Sequence, residues 1–383
     1  MPALKRPLSI GIIGRVLDQQ DGLGLYALNL LTNMFAQDRE TRYVLLLSTS
    51  SHSQSFRCFQ NVECHVLPSR SKLWWDQVTV PLAARRTAVD VLFNPKFSIP
   101  LLTTLPCVFV LQGADWYVNP GNYPWWDNLY IRAMLPLYCR KASRLLVISE
   151  ATLADLAAHI KIDRTRTAVT YAAVGSNFTP HRDESTLQRF RGNRRLPDNF
   201  ILTVARAYHS GLTHSPPYPG GNNERLIRAY RSYRAAGGEL PLVVIGHRIE
   251  EYLRACGLGD GELDGVQFLG FVPNAEMHLA YQLATCFILA TLCESFGLPI
   301  LEALATGCPA IVPTTCAAPE IAGGAARLIN PYDVADIARA LDEITTSADR
   351  RRQMGARGIA RARAFSWAET ARHTIANLTM LAA

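Results

Sequence analysis

The sequence predicts an α/β protein built as two tandem, doubly wound parallel-sheet domains. Three observations lead there. Short apolar runs without internal alternation recur along the chain and are separated by helical patterns, which is how strands covered on both faces read. The chain has 383 residues, and at roughly 150 residues per domain that is enough for two cores. The alternation breaks once, over a polar stretch, and then begins again.

In the first series, Leu8–Gly14 is a strand that runs into a Gly22-Leu23-Gly24 turn and a helix over Tyr26–Phe35. Tyr43–Leu47, Val89–Phe93, Cys107–Leu111 and Leu145–Ile148 read as further strands, with helical patterns over Trp75–Ala84 and Tyr130–Lys141. Between Tyr171 and Phe200 the chain turns polar and loses periodicity, which places a junction near 172–197. The second series has strands at Phe200–Val204, Leu242–Gly246, Val266–Leu269, Thr285–Ala290 and Ala310–Val312, and helices at Glu224–Ala236, Glu276–Ala284 and Leu298–Thr306. The expected organisation is a first domain over 1–175, a second over 176–365 and a last helix over 366–383.

Composition narrows the function. Apolar residues make up 49% and charged residues 19% of the chain, a balance that excludes a disordered or fibrous protein. No run approaches the ~18 apolar residues of a membrane span, and no signal-peptide core is present, so a cytoplasmic protein is expected. The nine cysteines form no C-x-x-C pair and no metal-type cluster with histidine, and they read as reduced core thiols with no metal site. The net charge is +7, and residues 1–175 hold 18 basic against 12 acidic groups. That excess suits either an ordinary solvated surface or contact with an anionic membrane or substrate. No basic run is interleaved with aromatics, so nucleic acid is not an expected partner.

Thr291–Cys308, TLCESFGLPILEALATGC, is the most informative segment. Glu294 and Glu302 have seven residues between them, with Phe296-Gly297-Leu298-Pro299 leading into a helix. Proline suits the first helical turn, and Gly307 is placed to end the helix. The N–H groups of Phe296, Gly297 and Leu298 then point from a helix N-terminus, which attracts phosphate. Carboxylates accept hydroxyl hydrogen bonds and repel phosphate, so acids on both sides of a phosphate cradle point to polyol groups at either end of a diphosphate.

With these residues the sequence resembles the family 4 retaining glycosyltransferases of the GT-B fold, whose motif reads E-x-F-G-x-x-x-x-E. The resemblance also rests on Gly22-Leu23-Gly24-Leu25-Tyr26, Trp75-Asp76-Gln77, Val147-Ile148-Ser149-Glu150, Leu202-Thr203-Val204-Ala205-Arg206, Leu269-Gly270-Phe271-Val272-Pro273, Ala305-Thr306-Gly307-Cys308-Pro309 and Phe365-Ser366-Trp367. It implies two Rossmann-like domains facing across a cleft, with a nucleotide sugar (GDP- or UDP-linked) on the second and a saccharide or lipid-linked saccharide acceptor on the first. It also implies that the last helix crosses back to the first domain.

By the same resemblance, Glu302 holds the ribose hydroxyls and Glu294 a hydroxyl of the donor sugar. Phe296, Gly297 and Leu298 take the phosphates through their N–H groups, and Arg206 stabilises the diphosphate leaving group. Gly246, closing a strand of the same domain, goes with the donor side. Gly22 and Gly24 suit either a close approach to phosphate or acceptor or a ligand-free turn, in a loop that also holds Arg15, Asp18 and Asp21. The implied reaction is retaining transfer of a hexose, with mannose preferred, in polysaccharide or glycolipid assembly and without a metal.

Two departures stand out. The family lysine that partners the arginine is absent, since no lysine follows Lys161; His209, His214 or Arg225, in or beside the insert Tyr208–Gly221, are the substitutes, or else the chain is a non-catalytic sugar-binding paralogue. Where relatives place a histidine beside the donor sugar stands Gln112, which cannot be protonated but can donate and accept hydrogen bonds. Asp115 reads first as a turn cap. A nicotinamide oxidoreductase is disfavoured because Gly11-Ile12-Ile13-Gly14 lacks the G-x-G-x-x-G spacing. The aromatics Trp116, Tyr117, Tyr123, Trp125, Trp126 and Tyr130 suit core packing, acceptor stacking or lipid contact. Trp74 and Trp75 are assigned to packing, and the arginines of 350–363 to a solvated helical face or an anionic membrane.

Overall fold

The computed structural model describes residues 7–19, 22–68, 71–118, 120–206 and 219–381. The chain divides into two compact units, one of Met1–Val118, Pro124–Ala172 and Ser366–Ala383, the other of Asn119–Tyr123 and Ala173–Phe365.

The first unit carries a seven-stranded parallel sheet: β1 Ser9–Ile13, β2 Arg42–Leu47, β3 Val62–Val66, β4 Val91–Asn94, β5 Cys107–Leu111, β6 Arg144–Val147 and β7 Thr167–Val169, in the order β3-β2-β1-β4-β5-β6-β7. β1, β4 and β5 are buried at every residue, which is why they read as continuous apolar runs. β3 and β7 are sheet edges and only partly covered, and the apolar-run reading passes over both. The winding reverses between β1 and β4, the place in an open α/β sheet where ligands bind beyond the strand ends.

The helix Gly22–Gln37 starts four residues before its apolar pattern, so Gly22 and Gly24 lie in its first turn. A side chain on Gly24 would come within 1.8 Å of the Gln19 carbonyl oxygen, so that glycine lets the helix start against the preceding turn. The last helix, Trp367–Thr379, is capped by Ser366 and packs within this unit. Its Trp367 meets Tyr26 edge-on at 5.3 Å, and Thr370 Oγ1 donates to the Tyr171 carbonyl at 2.6 Å. Trp75 is fully buried and its indole N–H donates to the Leu67 carbonyl at 2.6 Å. The assignment of Trp74 to packing is corrected: it is 61% exposed, because neighbouring residues on a helix point about 100° apart and it is Trp75 that faces the core.

The second unit carries a six-stranded parallel sheet: β8 Ile201–Val204, β9 Leu242–Ile245, β10 Val266–Gly270, β11 Cys286–Ile288, β12 Ala310–Pro313 and β13 Arg327–Ile329, in the order β10-β9-β8-β11-β12-β13. Here the winding reverses between β8 and β11. The stretch read as an aperiodic junction contains a helix, Glu184–Arg194, capped by Asp183 and burying only Leu187 and Phe190. Two apolar anchors in eleven residues leave too narrow a stripe to register as amphipathic.

Candidate donor site at the switch point of the second unit

Beyond β11 the chain continues through Leu289, Ala290 and Thr291, all buried, into the loop that holds Glu294. Three ties fix this passage. Asn222 Nδ2 donates to the Ala290 carbonyl at 2.7 Å and to the Pro331 carbonyl at 2.7 Å; Leu292 N donates to the Gly220 carbonyl at 2.9 Å; Ala317 N donates to the Glu294 carbonyl at 3.1 Å. Asn222 sits in the left-handed region at φ 54°, a conformation asparagine tolerates better than most residues. The Thr291 hydroxyl oxygen, buried beside the loop, makes no hydrogen bond among the described residues.

The helix after the loop spans Leu298–Thr306, with Pro299 in its first turn and Gly307 ending it at φ 76°. Gly297 is the residue before it, at φ 84°, and a side chain there would come within 2.8 Å of Ile300 Cδ1. The N-cap residue, Gly297, has no side chain with which to cap this terminus. The Phe296 ring is buried and meets Phe365 edge-on at 6.0 Å, so it offers a ligand its backbone only.

Glu302 lies about one turn into this helix. Its Oε2 accepts from the Tyr281 hydroxyl at 2.8 Å. Burial pushes the carboxyl up to about 7, against the Tyr281 hydrogen bond, which pulls it down. Tyr281 is itself fully buried, edge-on to Phe287 at 5.3 Å, and its phenol is pushed far up by burial. The sequence reading missed Tyr281, because nothing local marks a tyrosine 21 residues upstream as a partner of Glu302.

Arg206 follows β8 and is exposed. Its carbonyl accepts from Asn223 Nδ2 at 2.9 Å, which ties it to the start of the helix Asn223–Ala235. A side chain on Gly246, after β9, would come within 2.3 Å of the Ala205 carbonyl oxygen, so this glycine lets the ends of β8 and β9 close up. Arg206, Gly246 and the Glu294 loop therefore all follow the C-terminal ends of the adjacent parallel strands β8, β9 and β11. Arg225 is engaged by the Asn222 side-chain oxygen and lies 5.6 Å from the Tyr332 ring centre. His209 and His214 lie outside the described residues, as does Asp21.

The reading of nine reduced thiols is corrected: Cys293, the residue before Glu294, is disulfide-bonded to Cys316, with Cα atoms 5.3 Å apart. The two are 23 residues apart in sequence, and only the return of the chain through β12 brings them together. Most of the arginines of the 350–363 helix likewise have protein partners: Arg350 bonds Glu343, Arg351 the Ile344 and Thr345 carbonyls, Arg352 Asp349, and Arg361 the Glu320 and Ile321 carbonyls.

In the first unit, Gln112 Nε2 donates to the Pro95 carbonyl at 2.9 Å, and Lys96 Nζ donates to Gln19 Oε1 at 2.9 Å, joining the loops after β4 and β1. Asp115 opens the short helix Asp115–Val118. Tyr117 stacks on His159 at 5.2 Å and Trp116 meets Phe97 at 5.0 Å, whereas Trp125 and Trp126 are exposed.

Residues 219–361 match the family described as Glycosyl transferases group 1. The chain is 34% identical to the MMP alpha-(1->4)-mannosyltransferase of Mycolicibacterium hassiacum over 77% of this chain and 71% of that protein. The chain belongs to the group 1 glycosyl transferases. This group 1 chain is also 28% identical to the serotype-specific mannosyltransferase WbdA of Escherichia coli over 75% of its length, and it spans about a third of WbdA, 34%. Its two parallel-sheet units have the GT-B fold: the structure of Anabaena HepE in complex with UDP and glucose aligns with a TM-score of 0.73 at 16% identity, covering 97% of this chain and 100% of that one.

Proposed function

We propose that the chain transfers a hexose, with mannose preferred, from a GDP- or UDP-linked sugar to a saccharide or lipid-linked saccharide in polysaccharide or glycolipid assembly. The observation that carries this reading is the Glu294–Glu302 segment, which follows β11 where the sheet winding reverses, with Arg206 after the neighbouring β8. Two names support the sugar: WbdA and the Mycolicibacterium protein are both mannosyltransferases.

In this reading Glu302 accepts the ribose hydroxyls through the carboxylate oxygen that Tyr281 leaves open. The N–H groups of Phe296, Gly297 and Leu298 take the diphosphate at the helix N-terminus. Glu294 accepts from a hydroxyl of the sugar. As the glycosidic bond of the donor breaks, negative charge grows on the diphosphate, and the Arg206 guanidinium and the helix N–H groups meet it without a divalent cation. The acceptor hydroxyl attacks from the face the diphosphate leaves, with a donor phosphate oxygen taking its proton, so the anomeric configuration is retained. Gln112 contributes a hydrogen bond to a sugar hydroxyl in place of a histidine. Gly22 and Gly24 are assigned to the acceptor side, as the first turn of a helix beside the β1 loop, and Gly246 to the donor side through close strand packing.

No helix among the described residues is long and apolar enough to cross a membrane. The first unit does expose Trp74, Leu102, Trp125, Trp126 and Leu129, with Arg132, Arg140 and Lys141 exposed on the same helix as the last three. Large apolar side chains beside basic ones favour peripheral contact with an anionic leaflet, and this supports action at the inner face of a membrane.

The test is transfer from GDP-mannose and UDP-sugars to a panel of mannosides and lipid-linked saccharides in excess EDTA, with the linkage of the product read by NMR. The expected product is an α-linked glycoside formed equally with and without chelator. Donor binding with no transfer to any acceptor selects the non-catalytic paralogue, and loss of turnover in EDTA refutes metal independence.

A further inference from the structure

The Cys293–Cys316 pair sits at the entrance of the candidate donor loop. Cys293 adjoins Glu294, and Cys316 adjoins Ala317, whose N–H donates to the Glu294 carbonyl at 3.1 Å. The sulfur bridge and this hydrogen bond therefore tie the same two loops one residue apart. The closed ring runs from 293 to 316 and contains the Gly297 turn, the helix of Glu302 and β12. Cys316 is in the left-handed region at φ 52°, which a residue with a Cβ adopts only when its surroundings hold it there. Both cysteines are half-buried, whereas Cys107, Cys286 and Cys308 are buried, so a small thiol reagent reaches this pair before those three.

We infer that Cys293 and Cys316 form a reversible thiol–disulfide site, and that closing the bond fixes the Glu294 loop in the arrangement that takes a nucleotide diphosphate. Its consequence for the ligand rests on the donor-site reading given above; its effect on the loop does not. The co-reactant is a small-molecule disulfide such as oxidised glutathione. One cysteine thiolate attacks the reagent disulfide, forming a mixed disulfide and expelling one reagent thiolate. The second cysteine thiolate then attacks the protein sulfur of that mixed disulfide and expels the other. Two electrons and two protons pass from the cysteine pair to the reagent, which leaves as two thiols. A loop already held in its binding geometry loses less freedom when the ligand arrives, so the bonded form binds more tightly than the dithiol.

The experiment uses the full chain, incubated either with dithiothreitol or with oxidised glutathione and then freed of reagent. Alkylation and non-reducing peptide mapping are expected to show nine modified cysteines in the first sample. In the second they should show a linked peptide pair holding Cys293 and Cys316, with the other seven cysteines modifiable. Hydrogen exchange at 292–298, without ligand, is expected to be slower in the bonded form by about threefold or more, and GDP or UDP is expected to bind it several-fold more tightly. Cys316→Asn, which keeps a residue tolerant of the left-handed region, and Cys293→Ser are both expected to behave like the reduced protein under either treatment.

Nine modifiable cysteines after oxidation, or equal exchange at 292–298 in both forms, overturns the inference. Exchange that differs while neither nucleotide binds either form supports the thiol site and refutes the donor-site reading. Equal exchange with nucleotide bound equally in both forms does the reverse.

Discussion

Removing the Tyr281 hydroxyl tests how the Glu302 carboxylate is kept available. The hydroxyl donates at 2.8 Å to a carboxyl that burial raises from 4.5 to about 7, and it is the interaction that opposes this rise. A hydrogen bond to a charged acceptor contributes about 1.5–3 kcal/mol, and one pKa unit corresponds to about 1.4 kcal/mol. Tyr281→Phe should therefore raise the Glu302 midpoint by about 1–2 units. In the proposed role, Glu302 takes the ribose hydroxyls best when ionised, so nucleotide diphosphate affinity should increase with pH through about 7 in the parent and through a correspondingly higher pH in Tyr281→Phe.

Stability carries the opposite sign. Because the folded value lies above the ordinary one, the contribution of this carboxyl is fully present below about 4.5 and is lost as pH rises through about 7. In Tyr281→Phe the deficit in urea melts should consequently be larger at pH 8 than at pH 5. Calorimetric titration with GDP and UDP from pH 5.5 to 9 provides the assay. Glu302→Gln serves to subtract the titration of the nucleotide's own phosphate. An unchanged midpoint in Tyr281→Phe, or a profile in Glu302→Gln identical to the parent, refutes the reasoning.

Four other outcomes are expected. Glu302→Ala should weaken nucleotide diphosphate binding while Glu294→Ala leaves it near the parent value and lowers transfer; equal losses of nucleotide affinity would refute this division. Arg206→Ala should lower kcat by about 10²–10³-fold with a smaller change in KM, as for other donors aimed at developing charge; steady-state kinetics at saturating donor read the split. Gly297→Ala should cost about 1–2 kcal/mol for its left-handed backbone, plus the displacement of Ile300, whose Cδ1 lies 2.8 Å from the new methyl position; a melting temperature equal to the parent's would contradict the close approach. Trp367→Ala removes a buried ring edge-on to Tyr26 and should destabilise the chain by about 3–5 kcal/mol, measured by urea unfolding.

The features legible in the sequence are those encoded over short windows. β5 and the helix Leu298–Thr306 fall where the pattern puts them, since five consecutive apolar residues and a Pro299-to-Gly307 frame are local signals. β3 reads V-E-C-H-V because an edge strand needs no second apolar face, and the helix Glu184–Arg194 hides behind two anchors, although Asp183 with Ser185 and Thr186 is a readable cap. The Glu294–Glu302 spacing was visible, but its partners were not. Tyr281 reaches Glu302, Asn222 reaches Ala290, and Cys293 reaches Cys316 only because winding about one sheet places distant loops together. Trp74 falls outside the core for a smaller reason: it adjoins the buried Trp75, and neighbouring side chains on a helix lie about 100° apart, so the two do not share a face.

The most direct measurement on the central claim is the melting temperature of the parent and of Glu302→Ala with UDP, GDP, ADP and CDP and their sugars, with and without EDTA. A ligand that binds only the folded chain raises its melting temperature, by an amount set by its concentration over its Kd. The account predicts a rise with GDP or UDP in the parent that survives EDTA and is largely lost in Glu302→Ala. No rise with any nucleotide, or an equal rise in the variant, would contradict it.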